Sequence, residues 1–189
     1  MGKNRMDQKL IQSALQYGAA KAVVIPGERI VLSAEFADIC RSNRCGNYGM
    51  CWMCPPDVGE VEALMARVRG FRRGLLYQTI AQLEDSFDIE GMVAAARRHA
   101  WVSQRVQAVV RPLLEGESFH LSCGGCNLCE RFAKRDGAPC RMTDRALPPM
   151  EAAGVDVYNT TRDTPLKYIN GQNTVTYFGL VLFDEVEHA

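Results

Sequence analysis

Cysteine spacing constrains this chain more than any other feature of its sequence. The 189 residues contain eight cysteines, and all of them fall into two groups of four. The first group has the spacing C-x4-C-x5-C-x2-C and consists of Cys40, Cys45, Cys51 and Cys54. The second has the spacing C-x2-C-x2-C-x10-C and consists of Cys123, Cys126, Cys129 and Cys140. Four thiolates form the ligand set of a tetrahedral zinc site or of an iron–sulfur cluster, so the pattern predicts two metal centres.

The second group favours a four-iron cluster over a single zinc ion. Its first three cysteines lie within seven residues, and three thiolates from so short a loop crowd one tetrahedron. In a [4Fe–4S] cube each thiolate binds a different iron, and bacterial ferredoxins begin their cluster loop with the same C-x2-C-x2-C spacing. Gly124 and Gly125 allow the backbone to approach the inorganic sulfides. Cys140 is then the fourth ligand, more distant in sequence.

The first group is compatible with either metal. Cys51 and Cys54 form a C-x2-C pair that suits zinc or a cluster, and the other two cysteines complete the ligand set at wider spacing. Cys54 is followed by Pro55, as is the last cysteine of the ferredoxin loop, which binds the other cluster. Two pairings therefore stay open: each group holds its own metal, which we expect, or Cys54 joins Cys123, Cys126 and Cys129.

Other roles account for these residues less well. Disulfide bonds are uncommon in a reducing cytosol, and a thioredoxin-like role for one pair does not explain the neighbouring cysteines. Five arginines flank the predicted ligands and either offset the charge of a cluster or are ordinary surface residues: Arg41, Arg44, Arg131, Arg141 and Arg145. Among the histidines, we expect His120 to be a hydrogen-bonded strand residue and His99 to be solvated on a helix.

Charge and composition argue against several other classes of protein. The chain carries 22 basic and 22 acidic residues, so no basic excess favours a nucleic-acid partner. The N-terminal segment MGKNRMDQKL lacks the apolar region of a secretory signal. No apolar run approaches the roughly 20 residues of a membrane span. We therefore expect a cytoplasmic protein with no membrane or nucleic-acid partner.

The hydrophobic pattern predicts a single α+β (or α/β) domain over residues 1–189. Helices are predicted at residues 7–15, from the capping-box-like pair Asp57 and Glu60 to Gly70, and at about 88–110. Strands are predicted at residues 21–25, 75–80, 119–121 and 174–183. Shorter predicted elements are a helix before Cys40, strands at 30–32 and 155–158, helical segments at 127–134 and 148–153, and a polar tail at 184–189. The expected fold is a central sheet with flanking helices and two cysteine-rich metal-binding loops at one end.

The motifs together resemble a known family. They are CRSNRCGNYGMCWMCPP at residues 40–56, CGGCNLC at 123–129, APCR at 138–141 and PPMEAAGVDV at 148–157. Over residues 40–183 the chain resembles the predicted metal-binding family called domain of unknown function 2284. The resemblance implies metal binding, with iron–sulfur clusters and all eight cysteines as ligands. It implies no reaction, catalytic base, nucleophile or substrate pocket.

The sequence thus predicts a small iron–sulfur protein with two [4Fe–4S] clusters that transfers electrons to or from a redox partner protein. Because each cluster has a full set of cysteine ligands, no iron is open to a substrate, which favours electron transfer over Lewis-acid catalysis. Two alternatives stay open: an interaction module with structural zinc, and an iron–sulfur enzyme of unknown substrate. The sequence indicates neither a reaction nor an oligomeric state.

Overall fold

A four-stranded antiparallel sheet forms the centre of the structure, a computed structural model that describes residues 2–184, with side chains from Arg5 onward. The strand order is β1-β2-β4-β3. The strands are β1 (Lys21–Pro26), β2 (Arg73–Gln82), β3 (Ser118–Leu121) and β4 (Thr174–Phe183). The helices are α1 (Gly2–Gln16), α2 (Glu35–Arg41), α3 (Val61–Gly70), α4 (Ile89–Val110) and α5 (Val157–Thr161). Helices packed on an antiparallel sheet make this an α+β fold, as expected.

The sheet is buried on both faces, which explains the nearly continuous apolar runs of its inner strands. Successive side chains of a strand point to opposite faces, so Leu75 and Tyr77 pack on one face and Leu76 on the other. Helices α1 and α4 cover the first face with Leu10, Ala14, Val102, Val106 and Val110. Helix α3 and residues 150–166 cover the second with Leu64, Val68, Met150, Ala153 and Leu166. Burial of each large side chain contributes roughly 1.5–3 kcal/mol, which holds both layers against the sheet.

The longer predicted elements are confirmed. The three predicted helices correspond to α1, α3 and α4, although α3 begins at Val61 rather than directly after Asp57, and all four longer strand predictions lie in the sheet. Helix α4 begins at Ile89 because the Asp88 carboxylate accepts a hydrogen bond from the Gly91 N–H at 2.7 Å. It ends just before Pro112, which lacks the N–H that a continuing helix needs. No helix in residues 2–184 is long and apolar enough to cross a bilayer.

Two of the predicted short strands are wrong. Residues 30–32 and 155–158 meet through a single bridge, between Leu32 and Val155. Directly afterwards, the Asp156 carboxylate accepts a hydrogen bond from the Asn159 N–H at 2.9 Å and starts α5. Because a helix begins there, the pairing stops after one residue pair.

Two predicted helical segments and one predicted cap are also wrong. Residues 127–134 contain no helix before a short 3₁₀ turn at Ala133–Asp136, and residues 148–153 form consecutive turns. Helix α3 begins at Val61 without any side-chain cap. Asp57, the predicted cap, instead forms an ion pair with Lys134 on a distant loop. Of the predicted polar tail, residues 185–189 lie outside the described residues.

The segment of residues 148–156 positions both cysteine groups. Ser122, which precedes the second group, donates its N–H to the Pro148 carbonyl oxygen at 2.9 Å. Ser33, which precedes α2 and the first group, donates its N–H to the Gly154 carbonyl oxygen at 2.8 Å. Gly154 has a φ of +68°, and a Cβ there would lie 2.9 Å from the Ser33 carbonyl oxygen, so glycine is required for this close approach.

Candidate metal centre

The first cysteine loop, residues 40–58, is a series of turns between α2 and α3. Cys40 lies in the last turn of α2, and the chain then reverses through left-handed conformations at Asn43, Gly46 and Gly49. Asn43 stabilises its own turn, because its Oδ1 accepts a hydrogen bond from the Tyr48 N–H at 3.0 Å. These reversals fold the loop back on itself, and Cys40, Cys45 and Cys54 line a common pocket.

The second cysteine loop, residues 122–140, begins where β3 ends. The Gly124 N–H donates a hydrogen bond to Glu151 Oε2 at 3.3 Å. Gly125 lies against the first loop, since a Cβ at this position would lie 2.3 Å from Asn47 Nδ2. Every cysteine of this loop is partly buried: Cys123, Cys126, Cys129 and Cys140. The backbone of the second loop therefore contacts both the first loop and the 148–156 segment.

Two further contacts hold the loops together. Trp52 Nε1 donates a hydrogen bond to the Ala138 carbonyl oxygen at 2.9 Å, across 86 residues of sequence. Lys134 forms an ion pair with Asp57 in which each side chain is only 18% exposed. The Lys134 Nζ also lies 4.8 Å from the centroid of the Trp52 ring, a favourable cation–π distance. We call these four residues the loop clasp.

Cys51 and Cys54 are buried side by side, at 3% and 5% exposure, and share a proton. The Cys54 thiol donates a hydrogen bond to Cys51 Sγ. This bond lowers the pKa of Cys51 to about 6 despite burial, and the N–H groups of Met53, Cys126 and Cys54 add to the effect. The same hydrogen bond, together with burial, raises the pKa of Cys54. Within this pair Cys51 is therefore the sulfur that ionises first, and Cys54 is the one that keeps the proton.

Cys126 has thiol neighbours from both loops. Burial raises the pKa of Cys126 to about 11, opposed by the Leu128 backbone N–H. Three further thiols add smaller increases to this pKa: Cys51, Cys129 and Cys140. Because Cys51 belongs to the first loop, the thiols of the two groups lie within electrostatic range of each other.

Glu151 is the acidic neighbour of two other cysteines. Burial raises the pKa of Cys40, and the Glu151 carboxylate is the next largest cause, followed by Cys45. Burial and then Glu151 raise the pKa of Cys123 as well. Burial likewise raises the pKa of Glu151 itself. Sequence spacing did not single out this carboxylate, which lies in the PPMEAAGVDV motif far from either cysteine group.

A cavity of about 220 Å3 lies between the two loops and the 148–156 segment. Three thiols of the first group and one carboxylate line it: Cys40, Cys45, Cys54 and Glu151. Its other lining residues are Ile39, Arg44, Asn47, Tyr48, Pro55, Gly124, Gly125 and Pro149. Sulfur and carboxylate donors therefore line one shared pocket, with apolar residues among its walls.

All eight cysteines are free thiols, and none forms a disulfide. Within residues 2–184, no three His, Cys, Asp or Glu side chains already converge on a ready-made metal position. The two predicted tetrads of ligands therefore stay predictions. The donor set nevertheless fits a metal held by thiolates, because soft sulfur ligands lie in two contacting loops whose left-handed glycines permit closure.

The region that contains these thiols can be compared with known protein families. The family model described as predicted metal-binding protein (DUF2284) matches residues 23–183. The chain belongs to this family. The matched range includes both cysteine groups and the 148–156 segment, so the DUF2284 description applies to the region that contains the thiols. No curated protein and no solved structure matches the chain.

Two of the arginines that flank the cysteines of this DUF2284 protein are paired elsewhere. Arg41 forms an ion pair with Asp38, and Arg131 forms one with Asp136 at 2.7 Å. All four side chains are well exposed, so these pairs contribute little to stability. Arg44, in contrast, lines the 220 Å3 cavity. It is the flanking arginine best placed to offset negative charge there.

A buried chain of hydrogen bonds joins the sheet to α4 next to the second loop. His120 Nε2 lies 2.8 Å from the Tyr77 hydroxyl, which donates to Ser103 Oγ at 2.8 Å. Ser103 Oγ lies 3.2 Å from His99 Nε2, and His99 Nδ1 lies 2.9 Å from Thr79 Oγ1. We call these five residues the buried polar chain. These hydrogen bonds satisfy most of its buried polar groups, whereas His120 Nδ1 is buried without a hydrogen-bond partner among the described residues.

The buried polar chain confirms the prediction for His120 and corrects the one for His99. His99 is not solvated but 2% exposed, because it projects from the face of α4 that packs on the sheet. Burial lowers the pKa of His99 to about 4 and that of His120 to about 3, so both rings are neutral. Sequence reasoning missed Tyr77 and Ser103, although strand alternation places Tyr77 on the same sheet face as α4.

Proposed function

We propose that this protein binds two iron–sulfur clusters and transfers electrons to or from a partner protein. The observation that carries the proposal is the direct contact between two loops that together hold eight free thiols. The residues that would hold the clusters are those of the two cysteine groups. When bound, a [4Fe–4S] cluster supplies one-electron redox chemistry.

Cysteine spacing supports iron–sulfur clusters over zinc. Three thiols within seven residues fit the separate irons of a cube better than one tetrahedral ion. Burial adds to this support, since Cys51 and Cys54 are nearly inaccessible and Trp52 lies between the two loops. Residues around a cluster that exclude water help to set its potential.

The protonation state of the cysteine thiols affects how readily they bind metal. The pKa of Cys51 is lowered, whereas the raised pKa values of Cys54 and Cys126 keep those thiols protonated. Only thiolates bind metal, so loading releases the protons of these two residues. The chain is therefore expected to take up metal more readily as the pH rises above neutrality.

Exposed apolar side chains beside the first loop support a role with a partner protein. Ile39 is 56% exposed and lines the 220 Å3 cavity, and Met50 is 45% exposed next to Cys51. Exposed apolar side chains around a site are typical of surfaces that contact other proteins.

Metal and sulfide analysis of protein purified without oxygen tests the proposal. We expect about eight iron atoms and about eight acid-labile sulfides per chain, as two four-iron clusters require. We also expect visible absorption that bleaches on reduction and an EPR signal from the reduced protein. A colourless protein that contains zinc and no sulfide would overturn the proposal in favour of a structural zinc module.

A further inference from the structure

Helix α4 presents a basic face to solvent. Residues 91–114 contain four arginines and no Asp, Glu or Lys, although acidic and basic residues are equal in number over the whole chain. Arg97, Trp101 and Arg105 recur at four-residue spacing and Arg98 lies beside them, so these side chains share one side of the helix. All four are exposed, and they lie opposite the buried valines with which α4 packs on the sheet.

An open groove of about 650 Å3 continues this face beside the C-terminal half of α4. Its charged lining residues are Arg105, Arg111, Arg145 and Asp144, and its aromatic ones are Tyr17 and Trp101. Three arginines against one aspartate make the potential in the groove positive. We call the four exposed residues of the helix, together with Arg111 and Arg145 of the groove, the basic face of α4.

The arginines of the basic face lack acidic partners. None of them forms an ion pair with any side chain that the structure describes. Arginines elsewhere on the molecule are paired, as Arg29 is with Asp163 and Arg67 with Glu117. Exposed cations without a counter-charge of their own are available to the carboxylates of another molecule.

Trp101 adds an aromatic anchor to these charges. Its side chain is 53% exposed, and the guanidinium carbon of Arg105 lies 4.3 Å from the centroid of its ring. Tryptophan and arginine are enriched among the residues that contribute most to protein–protein binding. A protein therefore fits this surface better than a simple anion does, and the zero net charge of the chain disfavours a nucleic acid.

The basic face adjoins the second cysteine loop. Gln104 Nε2 donates a hydrogen bond to the Arg145 carbonyl oxygen at 2.7 Å, and Arg145 Nε donates one to Gln104 Oε1 at 3.2 Å. These two bonds fix the segment after the loop to α4. Ala100 and Gln104 also line a small cavity together with Cys123 and Cys126. A protein bound to the basic face would therefore lie beside the second cysteine group.

We infer that the basic face of α4 is the docking surface for an acidic protein. Carboxylates of that protein pair with the free arginines, and its apolar side chains contact Trp101. Electron-transfer complexes bury small interfaces in this way, and complementary charge speeds their association. The inference rests on the proposed function in one respect, because the redox partner is then the acidic protein that docks here.

Two small electron carriers of opposite charge, an acidic flavodoxin and a basic cytochrome c, test the inference with the full chain. Calorimetry at low and at high salt measures their binding. R97E/R105E reverses two charges of the basic face, and W101A removes the aromatic anchor. The matched control is R162E/K167E, since Arg162 and Lys167 are also exposed, form no described ion pair and follow the segment that covers the other face of the sheet.

Wild-type protein is expected to bind the flavodoxin and not the cytochrome, and to bind it more weakly at high salt. R97E/R105E and W101A are each expected to weaken flavodoxin binding about tenfold, whereas R162E/K167E keeps the wild-type affinity. Far-UV circular dichroism verifies that each variant is folded. In protein loaded with metal, R97E/R105E is also expected to slow electron transfer to the flavodoxin and to leave the EPR spectrum unchanged.

Equal affinity for the two carriers, failure to bind the flavodoxin, or equal weakening by R162E/K167E would overturn the inference. Binding of duplex DNA that R97E/R105E abolishes, without binding of the flavodoxin, would also overturn it and assign the face to a nucleic acid. Docking is measured without any need for metal, so these results leave the proposed function to the metal and sulfide analysis. Wild-type protein that holds no metal defeats the proposed function, while the binding data still decide whether the basic face is a docking surface.

Discussion

Tyr77 shows how one side chain serves both the core and a polar network. Its ring is completely buried in the middle of β2, and its hydroxyl lies 2.8 Å from both Ser103 Oγ and His120 Nε2. Burial raises the pKa of Tyr77, so the phenol keeps its proton. One hydroxyl proton and one lone pair therefore satisfy two buried neighbours at once.

Replacing Tyr77 by Phe is expected to lower the free energy of unfolding by about 1–3 kcal/mol, because two buried polar groups lose their partner. Urea denaturation monitored by circular dichroism measures the effect. Tyr158→Phe is the matched control, since Tyr158 is 55% exposed and its change is expected to stay within about 0.5 kcal/mol. Equal effects for the two variants would contradict the proposed importance of the buried polar chain.

The neutral histidines predict a specific loss of stability in acid. Burial lowers the pKa of His99 to about 4 in the folded protein, whereas an unfolded histidine has a pKa of about 6.5. As the pH falls below 6.5 the unfolded state takes up the proton first, so stability decreases down to about pH 4 and then levels off.

At pH 5 this linkage costs about 2 kcal/mol for His99 alone. His99→Gln removes the titrating group, so the variant is expected to lose about 2 kcal/mol less than wild type between pH 7 and pH 5. Denaturant titrations at the two pH values give the comparison. Parallel pH dependence in both proteins would mean that His99 is protonated in the folded state.

Among the elements, β4 depends on a glycine for its fit. Gly179 pairs directly with Tyr77 of β2, and the tyrosine ring lies over it. A Cβ at Gly179 would lie 2.1 Å from Cζ of that ring. The ring cannot move aside freely because its hydroxyl belongs to the buried polar chain.

Gly179→Ala is therefore expected to destabilise the protein by about 1–3 kcal/mol, the usual cost of overpacking a core. Gly70→Ala is a suitable control, because nothing lies within 4 Å of a Cβ at the end of α3. That change is expected to be neutral or to stabilise by up to about 1 kcal/mol, since alanine favours helix more than glycine does. Thermal denaturation of both variants tests the contrast; a harmless change at Gly179 would refute it.

The elements that were predictable from sequence are those with a long and regular pattern. Helix α4 has a capping aspartate, 22 residues of helical spacing and a terminal proline, and β4 is a run of β-branched and aromatic residues. Residues 30–32 and 155–158 have strand-like composition, yet each is too short for composition to decide. Their structure depends on contacts with segments more than 100 residues away in the sequence. A local sequence pattern carries no information about such contacts.

At the scale of the whole molecule, the sequence identified the cysteines but not how their loops meet. Spacing within a group reports on local geometry, so it favoured separate tetrads. The contact from Trp52 to Ala138 spans 86 residues and leaves no periodic signal. Asp57 was interpreted as a helix cap because its partner Lys134 is equally remote in sequence. Glu151 was missed for the same reason.

The loop clasp is expected to control how firmly metal is held. Asp57→Asn removes the partly buried ion pair with Lys134, so the loops separate more easily. Loss of such a pair is worth about 1 kcal/mol, which corresponds to roughly fivefold faster release of metal to a chelator. Release is followed by the absorbance of the metal–chelator complex.

Asp163→Asn is the control for this experiment, because Asp163 pairs with Arg29 at an exposed position where the carboxylate is 84% exposed. This variant is expected to release metal at the wild-type rate. Unchanged release from Asp57→Asn would show that the loops close on the metal without help from the clasp.

The position of β4 affects how the protein is made. This strand lies between β2 and β3 in the sheet, yet it follows every cysteine along the chain. A ribosome therefore completes both cysteine loops before it delivers the strand that bonds β2 to β3. Until then β3 has no neighbour, and the nascent polypeptide carries its thiols on an unfinished scaffold. The scaffold that holds both cysteine loops is accordingly complete only after the last strand of the sheet has been synthesised.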